Sequence, residues 1–470
     1  AMAEPKVSDL LIIGAGPGGY AAAFLAADKG MSVTLVDAGE RPGGTCLHVG
    51  CIPSKALLHA AKLITDSREA HTWGLKFTPP QIDLLALRKQ EFAIIDTLGK
   101  NLAELCQRRK VEYLARRASF VDSRTVQLDD GSRRSFRYCI LATGSLPARP
   151  AALALDHPRV MDSTAALRLD EVPGSLLVVG GGYIGLELGY VYAALGSQVT
   201  VVELTDGLLP GVDRDLVRPL QARLATLCHR IWLNTKVVRM EPAGAQVRVT
   251  LEGAEVSEQT PTYDRVLVAV GRRPNTEGLG LERTRVQLDA RGFVCVDERR
   301  RTTEEHIYAI GDVAGEPMLA HKATFEAKVA VRAIAGEAAV FDAQAIPAVV
   351  FTDPEIAWCG LTETEAKRQQ REVRVSRFPW AASGRALTLG RPEGLTKLIV
   401  DPDTERLLGV GIVGPGAGEM IAEGVLAIEM GATATDLALT IHPHPTLSET
   451  VAEAAEALHG TATHLYRPRR

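Results

Sequence analysis

The apolar run Leu10 to Ile13 closes on the glycine cluster Gly14-Ala15-Gly16-Pro17-Gly18-Gly19. An alanine-rich stretch and a second apolar run ending at Asp37 follow. This pattern predicts a buried strand, a tight turn, a helix and a second strand. The same pattern returns at residues 176–203, where Leu176 to Val179 meets Gly180-Gly181-Gly182 and the second run ends at Glu203. Between the copies, Gln81 to Arg109 reads as a long helix, Cys139 to Ser145 as a strand ending in a small-residue turn, and Pro147 to Pro158 as a linker. Beyond the second copy, Val237 to Leu251 alternates as strands with charged faces. Val266 to Asn275 is a strand closing on Gly271, and Thr302 to Asp312 a short strand ending in an aspartate. From about Ala345 the pattern changes to strands without a glycine cluster, followed by helices near Gly418 to Met430 and Leu447 to Leu458.

In both copies three glycines fill a Gly-x-Gly-x-x-Gly spacing: Gly14, Gly16 and Gly19, then Gly180, Gly182 and Gly185. The first glycine of such a set permits the turn, and the second lets backbone approach a pyrophosphate at a helix N-terminus. The third lets helix pack on strand, and the acid ending the second strand takes ribose hydroxyls. The recurrence at equal spacing therefore implies two dinucleotide sites. A carboxylate at Glu203 repels a 2'-phosphate and bonds a free 2'-hydroxyl, so the second site is expected to prefer NAD over NADP.

Composition narrows the picture. The chain has 470 residues, enough for three or four domains, and its 46% hydrophobic and 23% charged content is that of a globular protein. A formal charge of -4 gives no support for a nucleic-acid binder. The Arg299-Arg300-Arg301 run and the tail from Arg467 to Arg470 read as solvated charge. Seven scattered cysteines and the lack of an opening signal segment argue for a reducing compartment, hence a cytoplasmic location. No run of eighteen apolar residues suggests a membrane span. Ala1 to Pro5 is expected to be a disordered lead.

Two of the cysteines, Cys46 and Cys51, stand five positions apart just past the first ribose acid. At a helix start loosened by Gly50, such a pair can bring its sulfurs within bonding distance, and a helix N-terminus favours the reactive thiolate. Burial as small apolar residues is the alternative reading. Together with the nucleotide sites, the pair suggests electron transfer between a nicotinamide and a disulfide. His444, between Pro443 and Pro445, is a candidate base, while Thr446 and Glu449 have the spacing of a helix capping box.

Taken together, Cys46 to Lys55, the twin glycine sets, Ala142-Thr143-Gly144, Tyr308 to Asp312 and His444 to Glu449 resemble the dihydrolipoamide dehydrogenases. These are flavoprotein disulfide reductases of the 2-oxoacid dehydrogenase and glycine-cleavage complexes. The resemblance runs from about Leu10 to about Gly460. It implies an α/β fold with two Rossmann-like domains, one for FAD with the redox disulfide (1–150) and one for NAD (151–275). A central domain completing the FAD site (276–345) and a C-terminal α+β dimerisation domain (346–470) are implied as well.

By the same resemblance Cys46 is the interchange thiol and Cys51 the flavin-contacting thiol. Gly14, Gly16, Gly19 and Asp37 hold the ADP half of FAD, and Lys55 pairs with Glu187 beside the flavin. Gly44, Thr45, Thr143, Gly144, Asp312 and Ala320 complete the FAD contacts. Gly180, Gly182, Gly185, Glu203 and Gly271 hold NAD, and Tyr183 lies over the nicotinamide pocket. His444, oriented by Glu449, is the base acting on the other subunit of a homodimer, with a lipoyl-bearing acyltransferase or glycine-cleavage carrier protein as partner. No metal, nucleic acid or membrane is implied.

Two positions depart from the family pattern: His48, where asparagine is usual, is expected to face solvent, and Pro443 stands where alanine is common. A mercuric reductase should carry a C-terminal cysteine pair, and no cysteine follows Cys359. A glutathione-type reductase should place basic residues where Glu203 stands, and a soluble transhydrogenase should lack one of the paired cysteines. A flavin-binding subunit without turnover would need neither the cysteines nor the His-Glu pair.

Overall fold

The computed structural model describes residues 6–256 and 259–466. The expected lead, Ala1 to Pro5, and the tail from Arg467 lie outside them. The N-terminal pattern folds as β1 (Lys6–Ile13), α1 (Pro17–Asp28) and β2 (Val33–Asp37). In β1 every side chain from Leu10 to Ile13 is buried. A continuous apolar run is what a parallel strand covered on both faces requires.

The first sheet runs Glu112–Ala115, β2, β1, Arg133–Leu141 with parallel pairing throughout, then turns antiparallel through Thr125–Leu128 to Ala118–Asp122. The second runs Arg230–Trp232, Gln198–Val202, Ser175–Val179, Arg265–Val268, again all parallel, with Val160–Met161 at its edge. The four-strand order is the same in both, so the sequence repeat is a repeat of topology. Each puts its glycine turn at the carboxyl end of a central strand, where open α/β sheets bind ligands.

Three segments depart from the sequence pattern. The stretch 276–345 sends Ile307–Ala309 back to pair in parallel with Arg133–Leu141, so it is continuous with the first sheet. The linker at Pro147 begins as a two-stranded ribbon, Ser145–Pro147 against Arg272–Pro274, which ties the two nucleotide-binding halves together. The arginine run at Arg299 is not wholly solvated: Arg300 turns inward onto the fully buried Glu326 at 3.1 Å. A buried carboxylate needs such partners, and Lys322, also buried, supplies a second at 3.1 Å.

After a three-stranded antiparallel sheet over residues 236–263, the C-terminal part forms a five-stranded antiparallel sheet. Helices Ala417–Glu429 and Glu449–His459 pack against it. Among the described residues no helix is long and apolar enough to cross a membrane.

Candidate active site

The two glycine turns are built alike, atom for atom. The Gly14 N–H donates to Val36 O and the Gly180 N–H to Val202 O, both at 2.8 Å. A Cβ on Gly14 would lie 2.1 Å from Ala142 O, and one on Gly180 2.2 Å from Ala269 O. A Cβ on Gly19 would meet Gly14 O at 1.8 Å, and one on Gly185 would meet Gly180 O at 2.4 Å. No side chain fits at these four positions. Gly182, by contrast, has nothing within 4 Å of such a Cβ, and Gly16 only Gly44 Cα at 4.0 Å. The middle glycine thus keeps open space where a pyrophosphate can approach backbone.

The two acids also correspond, with a detail the sequence did not reveal. Asp37 accepts from Ala15 N at 2.9 Å and Gly39 N at 2.7 Å. Glu203 accepts from Gly181 N at 2.6 Å and from Thr205 N and Oγ1 at 2.8 Å. Each carboxylate locks its own glycine turn.

Gly14, Gly16, Asp37, Gly44, Thr45, Cys46, Cys51, Lys55, Thr143, Gly144, Glu187, Asp312 and Ala320 line one cavity of about 870 Å³. Gly19 packs against Gly14 O and is not part of the lining, and Tyr183 reaches the cavity from the second half. The cysteines enter it because the chain breaks between α2 (Gly44–Val49) and α3 (Cys51–Glu69). A Cβ on Gly50 would sit 2.8 Å from Thr45 O, so glycine is required at the break. Both thiols are free, and Cys46 donates a hydrogen bond to Cys51. That bond holds the Cys46 thiol protonated, and burial adds to the effect. Cys51 is lowered to about 7 by the same bond; burial opposes this and Lys55 assists it. The reduced pair therefore gives up its first proton readily and holds the second, with the shift downward on the Cys51 side.

Lys55 Nζ donates to Glu187 Oε2 at 3.0 Å across the two halves and stands 4.4 Å from the Phe351 ring centroid. Phe351 N in turn donates to Glu187 Oε1 at 2.9 Å. His48 is half-buried and lines the same cavity, its Nε2 donating to Pro42 O at 3.1 Å and its ring beside Gly99.

His444 and Glu449 are not among the residues lining this cavity. His444 Nδ1 donates to Glu449 Oε1 at 2.7 Å, and Glu449 Oε2 accepts from Thr446 N at 2.7 Å. The Glu449 N–H returns a bond to Thr446 Oγ1 at 3.4 Å, so this reciprocal pair closes the turn ahead of the helix while the glutamate holds the imidazole. Burial alone would raise the Glu449 carboxyl, but the Thr446 N–H and the imidazole hold it below its usual range. The ring is 69% exposed.

Sequence reasoning missed the Ser145 relay. Arg272 Nε donates to Ser145 Oγ at 2.7 Å, and Ser145 Oγ donates to Asp312 Oδ2 at 2.6 Å. The three residues are 127 and 40 positions apart, and no local pattern signals such a contact. Elsewhere, Asp213, Asp215 and Glu363 converge as a metal site might, but their centre holds the buried Lys397 Nζ at 2.6, 2.8 and 2.8 Å.

Residues 8–327 match the family described as pyridine nucleotide-disulphide oxidoreductase, and residues 346–455 match that family's dimerisation domain. The chain belongs to the pyridine nucleotide-disulphide oxidoreductases. Within them it is 45% identical over 468 residues to a dihydrolipoyl dehydrogenase of Haemophilus influenzae, covering 99% of this chain and 98% of the relative. It is 48% identical over 462 residues to one from Thermus scotoductus, covering 98% and 99%.

The crystal structure of LpdA from Mycobacterium tuberculosis superimposes with a TM-score of 0.88 at 29% identity, covering 96% of this chain and 99% of that one. The flavoprotein disulfide reductase RclA from Escherichia coli gives 0.85 at 28%, covering 95% and 99%. As a pyridine nucleotide-disulphide oxidoreductase the chain uses FAD and NAD. The cavity fits the first: it has a glycine turn that admits no Cβ, an open approach at Gly16, and a dithiol at its wall.

Proposed function

We propose that this protein is a dihydrolipoyl dehydrogenase, oxidising protein-bound dihydrolipoyl groups while NAD is reduced, as the flavoprotein component of a 2-oxoacid dehydrogenase or glycine-cleavage complex. The observation that carries the reading is the Cys46–Cys51 pair on the wall of the cavity formed at the first glycine turn. End-to-end likeness to dihydrolipoyl dehydrogenases selects the substrate.

In this reading Gly14, Gly16, Asp37, Gly44, Thr45, Thr143, Gly144, Asp312 and Ala320 would hold FAD, together with Lys55 and Glu187 on the same cavity wall. NAD lies on Gly180, Gly182, Gly185, Glu203 and Gly271. FAD, when bound, supplies an electron carrier between a thiolate and a nicotinamide. The chain divides near residues 150, 275 and 345, and its last part forms a homodimer. Dimerisation matters because His444 is absent from the cavity lining, so the base for one site is His444 of the partner subunit.

The thiol steps follow from the residues. His444 takes the proton of one dihydrolipoyl thiol, and the resulting thiolate attacks Cys46 Sγ of the oxidised pair, breaking the Cys46–Cys51 bond. Cys51 leaves because it is the more acidic thiol, and a lower-pKa thiol leaves faster. The second dihydrolipoyl sulfur then displaces Cys46, closing the lipoyl disulfide, and its proton passes to the Cys46 sulfur. The products are lipoyl, a Cys46 thiol, a Cys51 thiolate and a protonated His444, in balance with the two thiol protons consumed.

A reducing, cytoplasmic location accompanies the reading. It is supported by five further unpaired thiols at Cys106, Cys139, Cys228, Cys295 and Cys359.

The test is NADH formation from dihydrolipoamide by the purified holoenzyme. Cys46→Ser is expected to abolish turnover with FAD still bound. His444→Gln is expected to lower it by roughly 10²- to 10⁴-fold, the usual contribution of a general base. Full activity of Cys46→Ser would refute the interchange role.

A further inference from the structure

The segment between helices Ala434–Leu439 and Glu449–His459 carries two histidines two positions apart, each paired with a carboxylate, and they are built for opposite tasks. His444 engages Glu449 through Nδ1 alone, and the ring stands 69% exposed, so Nε2 is open to a substrate. His442 is only 8% exposed, and both of its nitrogens face acceptors. Nδ1 lies 2.9 Å from Thr440 O and Nε2 2.5 Å from Glu423 Oε1. A ring with both nitrogens engaged has no atom left to accept a substrate proton. It can, however, fix backbone.

The segment needs fixing. Ile441 is 96% exposed, and Thr440, Pro443, His444 and Pro445 are exposed too. Among the described residues, the segment's other side-chain hydrogen bonds close on the segment itself or its flanking helices. Thr440 Oγ1 donates to Asp436 O, Thr446 Oγ1 to Pro443 O, and Thr446 N and His444 bond Glu449. Glu423 sits instead on helix Ala417–Glu429, which packs on the C-terminal sheet. The His442–Glu423 bond is therefore, among the hydrogen bonds of the described residues, the side-chain link from this segment to the core of the C-terminal domain.

We propose that His442 and Glu423 form a positioning strut for the dihydrolipoyl reaction, setting the reach of His444 into the opposing subunit without touching substrate. The strut rests on the assignment of His444 as base. Because a displacement of about 1 Å at a reacting group can cost on the order of 10²-fold, a tether two residues from the base is well placed to control it.

The test compares His442→Ala, His442→Gln and Glu423→Gln with His444→Gln in the full-length holoenzyme. Three readouts are taken: dihydrolipoamide-to-NAD turnover, NADH-to-ferricyanide turnover, which needs no thiol base, and dimer mass by sedimentation. His442→Ala is expected to lose about 10- to 100-fold in kcat and in kcat/KM for dihydrolipoamide together. KM for NAD, ferricyanide turnover and the dimer should hold. His442→Gln, whose amide can still donate to Glu423, should recover part of the loss.

Unchanged dihydrolipoamide turnover in His442→Ala, with His444→Gln inactive, overturns the strut. Parallel loss of both activities and the dimer overturns it as well, since the pair would then serve assembly alone. If His444→Gln itself keeps full turnover, it is the base assignment beneath the strut that has failed.

Discussion

Alanine at Gly180 and alanine at Gly182, two residues apart in one turn, should fail in different ways. At Gly180 the backbone has φ +110°, and the new Cβ would sit 2.2 Å from Ala269 O, more than 1 Å inside contact distance. The strained conformation costs about 1–3 kcal/mol and the forced shift of backbone about 1–3 more. The second nucleotide-binding half should therefore lose several degrees of thermal stability. At Gly182 φ is -77° and a Cβ meets nothing within 4 Å, so stability should change by less than about 1 kcal/mol. Its methyl instead fills the space a pyrophosphate needs, and NADH affinity should fall at least about tenfold, about 1.4 kcal/mol. Calorimetry gives the first quantity, fluorescence titration with NADH the second, and the flavin absorbance of both variants should be unchanged. A Gly182→Ala protein that binds NADH as tightly as the parent would refute the assignment of this turn to the pyrophosphate. A Gly180→Ala protein of parental stability would refute the steric argument.

Two further outcomes follow from charges. The rate of iodoacetamide labelling of the reduced enzyme should climb as pH rises through about 7, because the coupled Cys46–Cys51 pair loses its first proton there. Lys55→Met should move the midpoint upward, and a pH-independent rate would count against the single-thiolate description. For the Lys397 cluster, burial alone would raise Asp213 and Asp215, but the buried ammonium holds both below their ordinary range. The parent should hold this stabilisation above the unfolded carboxylate range near pH 4 and lose it as pH falls through the depressed values. Lys397→Met removes the buried ammonium shared by three carboxylates and leaves them only Arg377, on Asp215 and Glu363, and the bonds from Glu363 N and Thr364 on Asp213, so its melting temperature should be well below the parent's at pH 7. Acidification to about pH 5 should narrow the gap, and a gap that widens on acidification would overturn the account.

Local pattern alone located the two glycine turns, the acids that close them and the cysteine pair. These features depend on short-range geometry: a carbonyl where a Cβ would be, or a helix break at Gly50. The inward turn of Arg300 was not legible, because its partner Glu326 is identified as buried only once the strand at Ile307 joins the first sheet. His48 likewise reads as solvated until α4 (Leu84–Arg108) brings Gly99 against it.

The sequence by itself determined that there are two dinucleotide folds of equal build and a dithiol beside the first, since both are written in contiguous residues. Only the tertiary structure decided how these parts cooperate. It placed Glu187 of the second half against Lys55 of the first, and carried Arg272 through Ser145 to Asp312. It left His444 outside the cavity of its own chain, while His442 turned inward to Glu423. Two histidines two positions apart ended in opposite settings, His444 exposed and His442 buried, because helix Ala417–Glu429 presents the Glu423 carboxylate to His442 alone.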